Sequence, residues 1–212
     1  MSDRRPSGPE ALARDILYGL AEGRFVPGQR LAEPDLMARY DVGRSTVREA
    51  LGRLASDGLV EIVPHRGAAI RRLTRREAAD VLRVAAALLS LAARQAAEAV
   101  AAGASAEDLV QAEAEYAAAS GPLRQRARGR YYRALAALAG NREVMRLLPS
   151  IQVPLVRAQM RDHAGASPPG HAALVAAVCA GDAAAADQAA RQQLDQLLSQ
   201  LPDLPEALFA RN

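Results

Sequence analysis

The chain has 212 residues, half of them apolar, and 27 basic against 24 acidic residues give a formal net charge of +3. That length favours two domains over one small module or a multi-domain enzyme, and the mild basicity permits nucleic-acid binding without requiring it. With two Phe and no Trp, Ala and Leu must fill the core, which favours closely spaced helices over a wide sheet sandwich. Every basic residue is Arg, a bias that a high-GC genome produces with no functional cause.

Residues 1–8 are polar and rich in breakers and read as a flexible tail. From Pro9, the spacing of Leu12, Ile16, Leu17 and Leu20 marks one face of a helix that closes at Glu22-Gly23-Arg24. Val26-Pro27-Gly28 is a turn, and Leu31 anchors the segment before a short helix from about Glu33 to Tyr40. Asp41-Val42-Gly43 breaks the pattern. Arg44 to Asp57 resumes it with Val47, Leu51 and Leu54 on one face and Gly58 as its stop. Two short helices across a tight turn, the second carrying Arg and small hydroxyls on its free face, have the shape of a helix-turn-helix. Leu59 to Val63 is β-like and Ala68 to Arg71 can return antiparallel, so Pro64-His65-Arg66-Gly67 becomes the basic tip of a hairpin, or wing.

After Arg72 the strand signals stop. Helices are expected at roughly 74–102, 105–119, 122–140, 142–162, 168–180 and 182–200, separated by Gly103, Gly121, Gly140-Asn141, Pro168-Pro169 and Gly181. Thr74-Arg-Arg-Glu77 offers a capping box. The predicted fold class is therefore mainly α: an N-terminal winged helix-turn-helix of three helices plus a small β-hairpin (9–72), then an all-α antiparallel helical bundle (73–212). The single Cys179 excludes an internal disulfide and reads as a small buried helix residue in a reducing compartment. No basic-plus-apolar leader opens the chain and no apolar stretch approaches the ~18 residues of a membrane span, so the expectation is a soluble, cytoplasmic protein with no membrane partner.

Gly23-Arg-Phe-Val-Pro-Gly-Gln-Arg-Leu31, Glu33-Pro-Asp-Leu-Met-Ala38, Val42-Gly-Arg-Ser-Thr-Val-Arg-Glu-Ala-Leu51 and Leu54-Ala-Ser-Asp-Gly-Leu-Val60 together resemble the DNA-binding domain of GntR-type regulators. The helical remainder is similar to the FCD effector domain of the FadR branch, on Leu73-Thr74, Arg83, Ala139-Gly-Asn141, and His171 followed by Gly181-Asp182. An exposed Arg at the start of a recognition helix can fork onto guanine O6 and N7, while hydroxyls and terminal amides hold phosphates. The resemblance implies contacts to a double-stranded operator from Arg44, Thr46 and Arg48 and from the wing tip His65-Arg66-Gly67. Glu33, Ser45 and Arg53 complete the candidate set. Pro34 stands where relatives often carry a DNA-reading side chain, so no operator sequence transfers. The bland alternative is that these Arg residues only solvate a helix face.

Many FCD domains hold a metal with an Asp and a His four residues apart, a His opening a later helix, and a His on the last long helix. Counting from the Gly140-Asn141 and Gly181-Asp182 landmarks puts Arg128, Tyr132, His171 and Gln193 at those positions. One strong ligand of four remains, so no metal and no cofactor is expected. Arg128 would instead supply a charged fork for a carboxylate, with Tyr132, His171 and Gln193 adding hydrogen bonds. Arg83, matching a family Arg that often points inward, is a second candidate anion partner. Against this, Arg124–Arg130 reads equally as a charged surface turn, and His171 as a helix cap.

The leading functional expectation is a homodimeric repressor released by a small-molecule effector, a carboxylate. The alternative is a DNA-binding regulator or scaffold whose effector pocket has degenerated. No nucleophile-and-base pair, phosphate-cradling loop or acidic cluster supports an enzyme.

Overall fold

A computed structural model describes residues 8–63, 67–148, 151–161, 163 and 170–211. Helix α1 (Pro9–Glu22) starts on a proline whose missing amide hydrogen costs nothing at a helix N-terminus, and it buries Leu12, Ile16 and Leu20. After the two-residue strand β1 (Arg30–Leu31), α2 (Glu33–Tyr40) and α3 (Arg44–Ser56) cross over a turn in which Asp41 adopts left-handed backbone, φ 55°. Val47, Ala50, Leu51 and Leu54 of α3 face α1 and α2. Strands β2 (Val60–Val63) and β3 (Gly67–Ile70) form the expected hairpin.

The sheet has three strands, in the order β1-β3-β2, all antiparallel, with Leu31 opposite Ala68 and Val60 opposite Ile70. The pairing of β1 is an addition to the sequence reading. Two residues are too few to show alternation, and only the neighbouring β3 makes them a strand.

Seven helices follow among the described residues: α4 (Arg75–Ala101), α5 (Glu107–Ala118), α6 (Gly121–Leu138), α7 (Arg142–Leu147), α8 (Val153–Met160), α9 (Gly170–Cys179) and α10 (Ala183–Gln200). Thr74 and Glu77 close both hydrogen bonds of the capping box that opens α4. The single helix expected at 142–162 is instead α7 and α8. Pro154, in the first turn of α8, lacks the amide hydrogen an uninterrupted helix would use there. Asn141 and Asp182 cap α7 and α10 through their side chains.

The bundle is built around α4, which packs along α10 and α9 and meets α6 and α8. Ala92, Ala93, Ala96 and Ala97 of α4 and Ala186 and Ala190 of α10 are fully buried, so small side chains let the helices approach closely where aromatics are scarce. Gly181, between α9 and α10, turns at φ 69°, and a Cβ there would stand 3.1 Å from that of Ala101. Two expectations need correction. Among the described residues α4 is long and apolar enough to cross a membrane by length and composition alone; its alanines raise its hydropathy while they pack the bundle. Cys179 is exposed, at the last position of α9.

The two halves are in contact. Gln159 of α8, itself buried, brackets the backbone of Leu73: its Oε1 accepts from Leu73 N at 2.8 Å and its Nε2 donates to Leu73 O at 3.1 Å. The C-terminal segment adds a third bond, from Ala210 N to Leu73 O. Helix α1 lies against both α6 and α8.

Candidate functional site

The exposed face of the helix-turn-helix is the first candidate site. Arg44 and Arg48, one turn apart on α3, expose about 70% of their side chains, with Ser45 exposed and Thr46 half-buried between them. Glu33, at the start of α2, orients both: its carboxylate lies 3.1 Å from Arg48 Nε and 3.9 Å from Arg44 Nε. Gly43 precedes α3 without a side-chain cap, so the first amides of the helix point outward beside these forks. Arg53 is elsewhere. It sits in the last turn of α3, where Glu10 and Glu49 take its guanidinium at 2.7 and 3.0 Å.

Gly67 opens β3 at φ 81° beside Arg30 of β1, and Val63 pairs with it at the base of the wing. His65 and Arg66 lie outside the described residues. Arg30, exposed at that base, is a cation the sequence reading missed; only the β1–β3 pairing brings it there. Behind this face, Tyr40 of α2 donates to Asp15 of α1 at 2.8 Å and Arg24 closes on the same carboxylate. Burial pushes Asp15 upward, but the Arg24 and Tyr40 hydrogen bonds outweigh it and hold the carboxyl below its usual range.

The second candidate site is inside the helical bundle, where Arg128, Tyr132, His171 and Gln193 share one locus. Arg128 and Tyr132 are a turn apart on α6, Tyr132 Oη lies 3.3 Å from His171 Nε2, and Gln193 Nε2 donates to the carbonyl of Gly170 at 2.9 Å. Aromatic rings enclose the imidazole: Tyr116 and Tyr131 stand edge-on at 4.8 and 4.9 Å. Arg124, one turn before Arg128, lies over the Tyr116 ring at 4.5 Å and donates to the Tyr116 and Ala119 carbonyls. Arg157 of α8 reaches the same locus and meets Tyr132.

The charges that act on His171 are all positive, while Glu113 acts on the neighbouring Tyr131. Burial, then the neighbouring Arg157, Arg128 and Arg124, push His171 down to about 4, so its ring is neutral near pH 7 and one nitrogen can accept from Tyr132. Burial and the like charge of Arg157 bring Arg128 down to about 10. Burial also raises the Tyr131 and Tyr132 hydroxyls. Three guanidiniums thus act on a neutral imidazole, and among the described residues none of the three is paired with a carboxylate. The buried Tyr131 Oη and Gln193 Oε1, although near one another, lack hydrogen-bond partners of good geometry.

A divalent cation does not fit this donor set. Arg124, Arg128 and Arg157 all repel a cation here, His171 contributes a single imidazole, and among the described residues no cluster of three His, Cys, Asp or Glu that could hold a metal occurs. Arg124 was legible as a helical neighbour of Arg128, whereas Arg157 carried no sequence signal.

Arg83 does not join this site, contrary to the sequence expectation. It projects from α4 with 63% of its side chain exposed and pairs with Asp80 at 2.9 Å. It lines a separate open groove of about 1350 Å3 with Arg72, Arg75, Arg76, Glu206 and Arg211. The register of α4 decides this: Leu82 and Ala85 take the inward positions and leave residue 83 outside.

A winged helix-turn-helix with free Arg forks, joined to an all-helical domain with an enclosed polar site, defines a class: one-chain regulators that couple DNA to a second ligand. The gntR family of bacterial regulatory proteins matches residues 10–70 and the FCD domain residues 80–196, so the chain belongs to the GntR family with an FCD domain. It is 38% identical over 63 residues to the HTH-type transcriptional repressor RspR of Escherichia coli K12, covering 30% of this chain and 26% of RspR. It is 36% identical over 79 residues to the HTH-type transcriptional regulator BphR of Paraburkholderia xenovorans, covering 37% of this chain and 32% of BphR. These matches thus span about a third or less of each curated relative. A GntR transcriptional regulator from Rhodococcus sp. RHA1 is similar over 93% of this chain and 98% of that one, with a TM-score of 0.71 at 26% identity. Escherichia coli McbR/YncC shares the fold over 92% and 97%, with a TM-score of 0.75 at 16% identity.

Proposed function

We propose that the protein is a cytoplasmic, homodimeric DNA-binding repressor whose helical domain releases the operator on binding a small organic acid, without a metal and without catalysis. Residues 9–72 act as the DNA-binding domain and residues 73–212 as the ligand-binding and dimerisation domain. Arg44, Ser45, Thr46 and Arg48, oriented by Glu33, enter the major groove of each half-site, while the wing tip His65-Arg66-Gly67 reaches the adjacent minor groove and Arg30 at its base faces the backbone. A two-fold dimer pairs this face with a near-palindromic operator.

The observation that carries the effector reading is the convergence of Arg124, Arg128 and Arg157 on a neutral His171. Such a site favours a carboxylate, which guanidinium forks bind in two parallel hydrogen bonds. A thermal-shift screen of sugar acids, dicarboxylates and amino acids tests it. A ligand at about 100 times its Kd stabilises by roughly 2.7 kcal/mol, several degrees for a protein of this size. At least one acid is expected to produce that shift in the wild type, and Arg128→Met to abolish it. Silence across the screen would favour a degenerate pocket, and near-stoichiometric Zn or Ni in protein purified without chelators would overturn the metal-free reading.

A further inference from the structure

The two helices that supply the arginines of the bundle site both pack against helix α1 of the DNA-binding half. Helix α6 carries Arg124, Arg128 and Tyr132, and between them Arg126 turns the opposite way and lies 5.7 Å from the ring centre of Tyr18 on α1. Helix α8 carries Arg157; one turn on, Arg161 donates to the carbonyl of Leu20 near the end of α1. At the start of α8, Gln152 donates to Asp57 O at 3.4 Å and accepts from Arg71 at 3.3 Å, so the stop of the recognition helix is held as well. Gln159 grips Leu73 between the two halves. Helix α1 in turn packs directly on α3.

We propose that α6 and α8 form a paired relay, in which an anion bridging Arg128 and Arg157 draws the two helices together and α1 reports that closure to the recognition helix through Tyr18 and Leu20. Without an anion, the like charges of Arg128 on α6 and Arg157 on α8 repel one another. An oxyanion between them replaces repulsion by two attractions, so the closed arrangement is the one that binds it better, the differential affinity any ligand-driven switch requires. Arg126, Arg161 and Gln152 are positioning residues that transmit this change and do not touch the ligand. The inference rests on the anion-site reading for its natural trigger, yet the relay can be driven without any ligand.

The test uses hydrogen exchange on the full-length protein. Arg157→Glu places a carboxylate opposite Arg128 and mimics the bridged state. Relative to wild type, backbone exchange in residues 12–24 and 71–74 is expected to change by roughly threefold or more. Adding Arg126→Gln and Arg161→Met is expected to cancel that change in residues 12–24 while leaving the effect on α6 and α8 in place. The relay is overturned if Arg157→Glu, folded by circular dichroism, leaves exchange in α1 as in the wild type. Should Arg157→Glu fail to fold, citrate and inorganic phosphate added to wild type serve as the driving anions, read in the same segments. Stabilisation by either anion with α1 unchanged sinks the relay and leaves the anion site standing. A response of α1 to Arg157→Glu with no stabilisation by any acid keeps the relay and sinks the effector reading.

Discussion

His171 offers a direct measure of the charge balance inside the bundle. Burial and the facing arginines put its folded-state pKa at about 4, against an ordinary value of 6.5. The unfolded chain therefore binds a proton between these values and the folded chain does not, so the stability contributed is fully present above about pH 6.5 and falls away towards pH 4. Between pH 7.5 and 5 the loss works out at roughly 2 kcal/mol, and over the whole window at roughly 3 kcal/mol. Urea unfolding of the wild type and of His171→Gln at both pH values isolates the term. Any constant cost of the substitution cancels when each protein is compared with itself, and the acidic groups Asp15, Glu77 and Asp187 are common to both. The wild type is predicted to lose about 2 kcal/mol more than His171→Gln between pH 7.5 and 5. Equal losses would mean that His171 titrates alike in the folded and unfolded chain, and the account of a cation-rich site around a neutral ring would fail.

Two further predictions concern the other end of the molecule and the junction. Arg48→Ala removes an exposed fork held by Glu33, and operator affinity in a gel-shift titration is expected to fall by roughly 1–3 kcal/mol, about 5- to 150-fold, with unchanged thermal stability. Arg53→Ala, whose guanidinium is already held by Glu10 and Glu49, is expected to cost much less affinity; the reverse order would refute the assignment of the reading face. Thr74→Ala breaks the 3.2 Å bond to Glu77 N that opens α4, and a loss of about 1 kcal/mol is expected in chemical denaturation. No measurable loss would show that packing against α10 and α9 alone sets the start of that helix.

The DNA-binding half was largely legible from residue order. Pro9, Gly43 and the apolar spacings of α1 and α3 are local signals, and local steric and hydrogen-bonding rules set where those helices begin and end. Strand β1 and its exposed Arg30 were not, because pairing with β3 is a long-range event. In the bundle, helical spacing put Arg128 and Tyr132 on one face, whereas Arg83 was misplaced because its direction depends on which stripe of the alanine-rich helix α4 turns inward.

Residue order alone thus fixes the sequence of elements and the face of α3 left free, and the four-residue spacing of Arg128 and Tyr132 sets them on one face of α6. Only the tertiary structure decided that Arg124 and Arg157 join them, that His171 is neutral, and that α6 and α8 reach from this site to α1. Those outcomes depend on which side chains meet across helices far apart in the chain and on how little water stays between them. Local periodicity encodes neither.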